Sequence, residues 1–478
     1  MTFLTTAACI LALVLSWAGP AAAVTPQHYT DLDFPTLGDI NIPDYERYEL
    51  DNGMVVYLME NHDLPLVSGG VTLRTGTALD PTGQIGLGSI TGEAMRLGGT
   101  ANHPPAELNE LLEQRAASVE TSLGTTSGGA SFSALAEDLD PVFELFADVL
   151  RNPAFAPDKF ELIKSRYRGD IARRNDDPDD ITGREFRKLV YGDESPYARQ
   201  VEYSDLDNIS RDDVIAFYNA NITPQNSILS ISGDFETTQM KTLIEQRLGA
   251  WQPAAETAFS APTETQAKTG LYLIDQPQLT QSYIQIGHLG GRLDNPDHAP
   301  LVVLNEVLNG FGGRLFNDIR SRQGLAYVVY AFWSPRYDYP GLFIGGGQTR
   351  SEATVPFLQS IQAEIERVRE EPISETELQF AKDSVLNSFV FNFATPEQSL
   401  SRLVRYEYHG YPSDFVFRFR EQVEATTADE VLAAAQENLK PEDLITLVVG
   451  NQAEITPPLE SLGGVSVTPI DISIPGEA

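Results

Sequence analysis

The chain has 478 residues, too many for one ordinary domain, and 42% of them are hydrophobic, enough to bury sizeable cores. Its 33 basic and 68 acidic residues leave a net charge of −35. That balance argues against nucleic acid or an anionic membrane as a partner; it suits cationic peptides, or simply a highly solvated surface.

Residues 1–23 read as an export signal. Leu4 to Trp17 is mostly apolar, Gly19-Pro20 interrupts it, and Ala21-Ala22-Ala23 offers small residues for cleavage. No Lys or Arg precedes the apolar run, and an uncleaved anchor is the competing reading. The run is short for a bilayer span and no second long apolar run follows, so no stable membrane span is expected. The only cysteine, Cys9, falls inside this segment. A mature chain without disulfides suits a periplasmic or secreted protein of bacterial type. Residues 24–40 read as an extension that drapes over the body or stays mobile.

From residue 40 onward the elements come in a recognisable order. Tyr48 to Leu58 is a hairpin with an Asn52-Gly53 turn, and Pro65 to Leu73 is a strand. A long helix is expected over 157–175. Ile209-Ser-Arg-Asp-Asp-Val214 opens a helix with a capping residue and acids, and Asn221 to Gly233 leads into another strand. Trp251 to Thr269, rich in Pro, Ala, Thr and Glu, reads as a linker. Beyond it, Ser282 to Leu289 is a strand, and 355–371 and 375–392 are helices. Thr426-Thr-Ala-Asp-Glu-Val431 and Asn438 to Gly450 then repeat the earlier pattern, with Asn, Pro and Gly each recurring 217 positions later. A period this long signals a duplicated domain. The expected fold class is α+β: two homologous domains, 40–250 and 270–456, each a mixed or antiparallel sheet packed with helices, joined by the linker 251–269 and followed by a C-terminal extension, 457–478.

The duplicated halves, Leu50-Asp-Asn-Gly-Met-Val-Val-Tyr57, Gly86-Leu87…Gly99-Thr100 and Asn309-Gly-Phe-Gly-Gly-Arg-Leu-Phe-Asn-Asp-Ile-Arg-Ser-Arg-Gln-Gly-Leu-Ala-Tyr327 together resemble the pitrilysin/insulinase family of zinc peptidases. The resemblance covers about 40–455 and implies half of a clamshell. In that family, His-x-x-Glu-His between a Gly-Leu and a Gly-Thr supplies two zinc ligands and a water-activating Glu, and a Glu on a later helix completes the set. Here the plain register puts Ser89 and Glu93 at the His positions and Gly92 at the Glu position; a one-residue shift puts Ile90, Glu93 and Ala94 there. Neither supplies a histidine, and none lies between His62 and His103. Asp170 occupies the position of the later ligand. Glu93 and Asp170 are either two solvated helix acids or a two-carboxylate site for a hard cation. The other histidines (His28, His288, His298, His409) are expected in surface or capping roles, and no particular serine stands out as a nucleophile.

The second half keeps what the resemblance assigns to substrate handling. Arg320 and Tyr327 match an Arg and a Tyr that reach toward the scissile peptide from the half opposite the zinc. Arg320 closes a helix, Gln323-Gly324 turns the chain, and Leu325 to Trp333 is a strand, so both side chains can project into one cleft. A phenol can donate to a developing oxyanion, and a guanidinium can orient carbonyls. Two bland readings compete: Arg320 shares a solvated face with Arg314 and Arg322, and Tyr327 alternates with Leu325, Val329 and Ala331 as a core residue would. Tyr330 points to the opposite face. Gly310, Gly312 and Gly313 resemble the family's glycine loop over the cleft.

The resemblance implies a non-catalytic subunit. It would carry no cofactor of its own and pair with a zinc-bearing homologous peptidase, to which it would lend Arg320 and Tyr327 for peptide hydrolysis. The alternative is a purely structural or peptide-binding homologue.

Overall fold

Asn52-Gly53 turns the chain as its sequence predicts. Gly53 takes φ 86°, and β1 (Glu46–Glu49) and β2 (Val55–Glu60) pair antiparallel across it. This computed structural model describes residues 42–252, 265, 267–310, 312–463 and 466–476. The expected export signal, Cys9, His28, the extension over 24–40 and most of the linker lie outside the described residues.

Ten further strands complete two six-stranded sheets: β3 (Leu66–Leu73), β4 (Ser118–Leu123), β5 (Gly128–Leu135), β6 (Ser227–Gly233), β7 (Gly270–Asp275), β8 (Gln281–Leu289), β9 (Ala326–Ser334), β10 (Leu342–Arg350), β11 (Ile445–Gly450) and β12 (Val467–Pro469). The first sheet runs β1-β2-β6-β3-β5-β4 and the second β12-β7-β11-β8-β10-β9. Five strands correspond one to one, including a parallel pair in each, β2 with β6 and β7 with β11. Nine helices matter here: α1 (Leu87–Leu97), α2 (Pro157–Arg173), α3 (Pro178–Tyr191), α4 (Arg211–Asn221), α5 (His298–Asn309), α6 (Thr354–Glu370), α7 (Glu375–Ser388), α8 (Pro396–His409) and α9 (Ala428–Asn438). α4 and α9 begin and end 217 positions apart, the offset of the sequence repeat. The duplicated α+β architecture is therefore the one the sequence predicts.

The sixth strand of each sheet breaks the symmetry. In the first it is β1; in the second it is β12, from the segment expected to be an extension. That segment pairs parallel with β7, gives the Ile472 carbonyl to Asn175 Nδ2 (2.7 Å), and buries Ile474 in the core of the first half. It drapes over the body rather than trailing from it.

Side-chain alternation explains how each sheet is covered. In β2 and β6, Val56, Leu58, Leu229 and Ile231 face the main core of the first half, while Tyr57, Met59 and Ile228 face the other way. That second face is closed by Leu400, Leu403, Val404 and Tyr408 of α8, a helix from the second half. The reverse also holds. Ile445, Leu447 and Val449 of β11 pack against Ile181, Phe186, Leu189 and Val190 of α3, from the first half. Each half thus lends a helix to roof the other's sheet. Glu407 of α8 takes a hydrogen bond from the Tyr57 hydroxyl and an ion pair from Arg47 (Nε–Oε2 2.9 Å), and Arg74 Nη2 donates to the Tyr408 carbonyl (2.6 Å).

Both sheets end on an edge beside a helix: β4 beside α1, and β9 beside α5. Asn305 and Asn309 of α5 stand in for a missing strand. Asn305 bonds the N–H (2.8 Å) and the C=O (2.9 Å) of Trp333; Asn309 bonds the N–H (2.8 Å) and the C=O (2.6 Å) of Ala331. An i, i+4 spacing on the helix matches the i, i+2 spacing of outward-facing groups on the strand.

Candidate functional site

α1 carries Ser89 and Glu93 one turn apart on one face, and α2 lies against it. The charge that meets Glu93 is a guanidinium. Arg166 of α2 forms an ion pair with the Glu93 carboxylate, and the Tyr167 hydroxyl donates to its Oε1 (3.1 Å). Burial, and then the nearby Glu93 carboxylate, push the Tyr167 phenol up, while a hydrogen bond with Ser89 works the other way. Asp170, one turn beyond Arg166, is exposed to solvent. Glu93 is therefore a paired acid rather than a solvated one. A serine hydroxyl, a carboxylate already neutralised by arginine and an exposed aspartate do not fit a zinc ligand set. Among the described residues no cluster of three or more His, Cys, Asp or Glu side chains could hold a metal ion.

Gly92, which the plain register matches to the family's water-activating Glu, has no room for a side chain. A Cβ there would lie 2.5 Å from the backbone nitrogen of Leu123 and 2.9 Å from the carbonyl carbon of Ser122. The Thr121 hydroxyl also donates to the Gly92 carbonyl (2.6 Å). The helix backbone rests directly on the edge strand β4.

The histidines divide in two. His62 pairs with Asp234 (2.7 Å) and His103 with Glu107 (3.2 Å), both in surface settings. The surface or capping role expected for the others fails for His288, whose ring is buried. Its Nδ1–H donates to the Leu289 carbonyl (2.8 Å) and its Nε2 accepts from the Lys440 N–H (3.0 Å), which fixes the neutral tautomer. His298 packs on Phe419 with a ring separation of 4.9 Å, and burial pulls its imidazole down to about 4. Burial also lowers His409, which stacks on Tyr337. The cleft of about 770 Å³ beside His62 and Asp234 contains a histidine–carboxylate pair, but no serine or cysteine among its lining residues.

Arg320 and Tyr327 do come together. Phe316–Arg322 winds as a π-helix, a form that recurs at functional sites. It sets the Arg320 guanidinium 4.9 Å from the Phe316 ring centroid and 4.6 Å from that of Tyr327. Tyr327 is 75% exposed. The core alternation expected for it fails because the ladder slips here: Val328 pairs with Gln348 and Ala326 with Thr349, leaving Tyr327 as the extra residue. Such a bulge re-aims its side chain. Tyr330 is half-buried and stacked on Phe332 (5.8 Å).

The shared solvated face expected for the three arginines also fails. Arg314 is tied to Glu377 of α7 (2.6 Å) and Glu364 of α6 (3.2 Å), and Arg322 to Asp318 (2.7 Å). Arg320 has no carboxylate partner among the described residues. It lines a cleft of about 440 Å³ together with Tyr327, Gln348 and Arg350. Gly312 and Gly313 line a separate cleft of about 460 Å³ beside Arg314 and Glu377, on the other side of the π-helix. Gly310 ends α5, and its carbonyl accepts from the Gly313 N–H (2.5 Å).

Sequence reasoning missed Arg166, Tyr167 and Arg350. The first two stand four and three positions before Asp170, on its helix face, so that spacing was the available signal. Arg350 gave none, since strand pairing alone brings it near Gly324.

Residues 55–193 match the family described as "Insulinase (Peptidase family M16)", and residues 208–385 match "Peptidase M16 inactive domain". A Bacillus subtilis protein named "Uncharacterized zinc protease YmxG" is 23% identical over 359 residues, 75% of this chain and 86% of that one. "Non-peptidase homolog YmxG" of Helicobacter pylori is 22% identical over 400 residues, 82% of this chain and 91% of that one. A crystal structure described as the peptidase M16 inactive domain from Pseudomonas fluorescens shares the fold, with a TM-score of 0.77 at 22% identity, covering 90% of this chain and all of that one. With both duplicated halves matched to the same family and the fold of a solved member, the chain belongs to the M16 (pitrilysin/insulinase) peptidase family, as a homologue with no histidine at its own metal-ligand positions.

Proposed function

We propose that this chain is the non-catalytic subunit of a two-chain M16 peptidase. A zinc-bearing homologue supplies the metal and the water-activating carboxylate, and this chain supplies Arg320 and Tyr327 to the bound peptide. One contrast carries the reading. Glu93, the acid at the metal-ligand positions of α1, is already paired with Arg166 and Tyr167, whereas Tyr327 stands 75% exposed and Arg320, half-buried on two rings, has no carboxylate partner among the described residues. A phenol hydroxyl free of acceptors can donate to a carbonyl oxygen that gains charge during attack. Removing one such donor typically costs about 2.7–4 kcal/mol of barrier stabilisation. The guanidinium, held flat on two rings, can fix a neighbouring peptide carbonyl. The expected export signal places this assembly in the periplasm or outside the cell.

The test is to capture the native assembly, confirm that a zinc-bearing M16 homologue co-elutes, and assay peptide cleavage by the reconstituted pair. With Tyr327→Phe in this chain, kcat falls by about 100-fold or more while the subunits still associate. Undiminished turnover with the partner bound would leave a structural or peptide-binding subunit with no part in catalysis. Cleavage by the isolated chain, abolished by chelators, would refute both readings.

A further inference from the structure

The cleft beside Tyr327 is basic in a strongly acidic chain. Its charged lining residues are Arg320 and Arg350, and none of its lining residues is acidic, in a chain with 68 acids against 33 bases. The arginines close to it in sequence are spent: Arg314 on Glu377 and Glu364, Arg322 on Asp318. Arg320 is held by rings alone, 4.9 Å and 4.6 Å from two centroids, a clamp that fixes the guanidinium plane without using its five donors. Arg350, at the end of β10, reaches the same turn: its Nη1 lies 3.5 Å from the Gly324 carbonyl and its Nε 2.8 Å from Glu352. Both side chains of that ion pair are more than half exposed, at 59% and 63%. An exposed pair of this kind is readily exchanged for a better-placed carboxylate.

We infer that Arg320 and Arg350 form a carboxylate subsite that selects peptides carrying an acidic side chain or a free C-terminus next to the residue held by Tyr327. This deepens the peptide-binding role proposed above and rests on it. The planar guanidinium matches a carboxylate in two-point geometry. Gln281 also lines the cleft, and its side-chain amide can donate to the carboxylate, whereas the Gln348 amide already donates to Asp179 (2.8 Å). The overall charge of −35 opposes anionic peptides at long range, so any preference for them must come from this cleft at contact distance.

The experiment uses the full chain and three fluorescently labelled decapeptides of one alanine-rich sequence. One carries a single central glutamate and a C-terminal amide. The second has glutamine in its place. The third is the glutamine peptide with a free C-terminus. Binding is read by anisotropy. One of the two carboxylate peptides binds about tenfold tighter than the neutral twin, and which one does so identifies the carboxylate as side-chain or terminal. Arg350→Gln, a surface change, removes that advantage and leaves affinity for the neutral twin unchanged. Equal affinity of all three peptides, no binding of any, or a preference that survives Arg350→Gln overturns the subsite. The catalytic role fails separately: there, Tyr327→Phe leaves partner-dependent turnover intact while the Arg350-dependent preference persists.

Discussion

Gly92→Ala tests whether α1 rests directly on β4 at the position that the plain register matches to the family's Glu. The added Cβ meets the Leu123 nitrogen at 2.5 Å and the Ser122 carbonyl carbon at 2.9 Å, both backbone atoms that no rotamer change can move. Ordinary contact begins near 3.4 Å, so α1 and β4 must separate by about 0.9 Å. That separation stretches the Thr121–Gly92 hydrogen bond and loosens Arg96 Nε from the Val119 carbonyl (2.8 Å). Overpacking of this kind costs about 1–3 kcal/mol, and alanine's helix preference returns about 1 kcal/mol. The expected net loss is about 0–2 kcal/mol. The control is Gly169→Ala on α2, where a Cβ meets nothing within 4 Å and the same preference acts unopposed, for a gain of about 0.5–1 kcal/mol. Urea unfolding of the two variants, followed by circular dichroism, should therefore put the Gly92→Ala midpoint below that of Gly169→Ala. If Gly92→Ala is as stable as Gly169→Ala, the helix does not sit on the strand as described. The position would then be open to a catalytic carboxylate.

Two further predictions follow from buried polar groups. Replacing Asn305 and Asn309 together by leucine strips four hydrogen bonds from Ala331 and Trp333. At about 1 kcal/mol each, the chain loses about 4 kcal/mol and gains an open strand edge. Sedimentation velocity should show self-association absent from the parent, and an unchanged, monodisperse variant would contradict the clamp. The buried histidines predict acid sensitivity. His298 stays neutral down to about 4 when folded but titrates near 6.5 when unfolded, so the unfolded chain binds the extra proton between those values. Stability is therefore full above about pH 6.5 and falls as pH drops toward 4, by about 3 kcal/mol from this residue. Asp80, raised to about 6 by burial, acts in the opposite sense over a similar range, so the comparison must be with His298→Phe rather than with neutral pH alone. The parent's stability minus the variant's should fall steadily as pH drops from 6.5 to 4; a difference independent of pH would refute the assignment.

Much of this molecule is legible in its sequence because the signals are local or periodic. The Asn52-Gly53 turn, the capped starts of α4 and α9 and the 217-residue repeat depend on neighbouring residues, and the structure reproduces each. The missing histidines and the Arg320–Tyr327 spacing are equally plain. What stayed hidden depends on pairing across the fold. Periodicity marks α3 and α8 as helices with an apolar face, but not which sheet that face will meet. Alternation placed Tyr327 in the core because it assumes an unbroken ladder, and a single slipped residue against Gln348 and Thr349 reverses the outcome. The partner of Glu93 comes from another helix, and the segment after 457 read as an extension that either drapes over the body or stays mobile, because three residues of β12 make too weak a strand signal to decide.

The exchanged helices bind the two copies into one cooperative system. Neither half can be excised with its sheet covered on both faces, because α8 belongs to one copy and shields the other, and α3 does the reverse. Folding must therefore bring together segments more than 300 residues apart, as with Arg47 and Glu407, before either copy is complete. A substitution on α8 is felt first in the half that did not encode it. A change in either copy is therefore constrained by the helix it lends to the other.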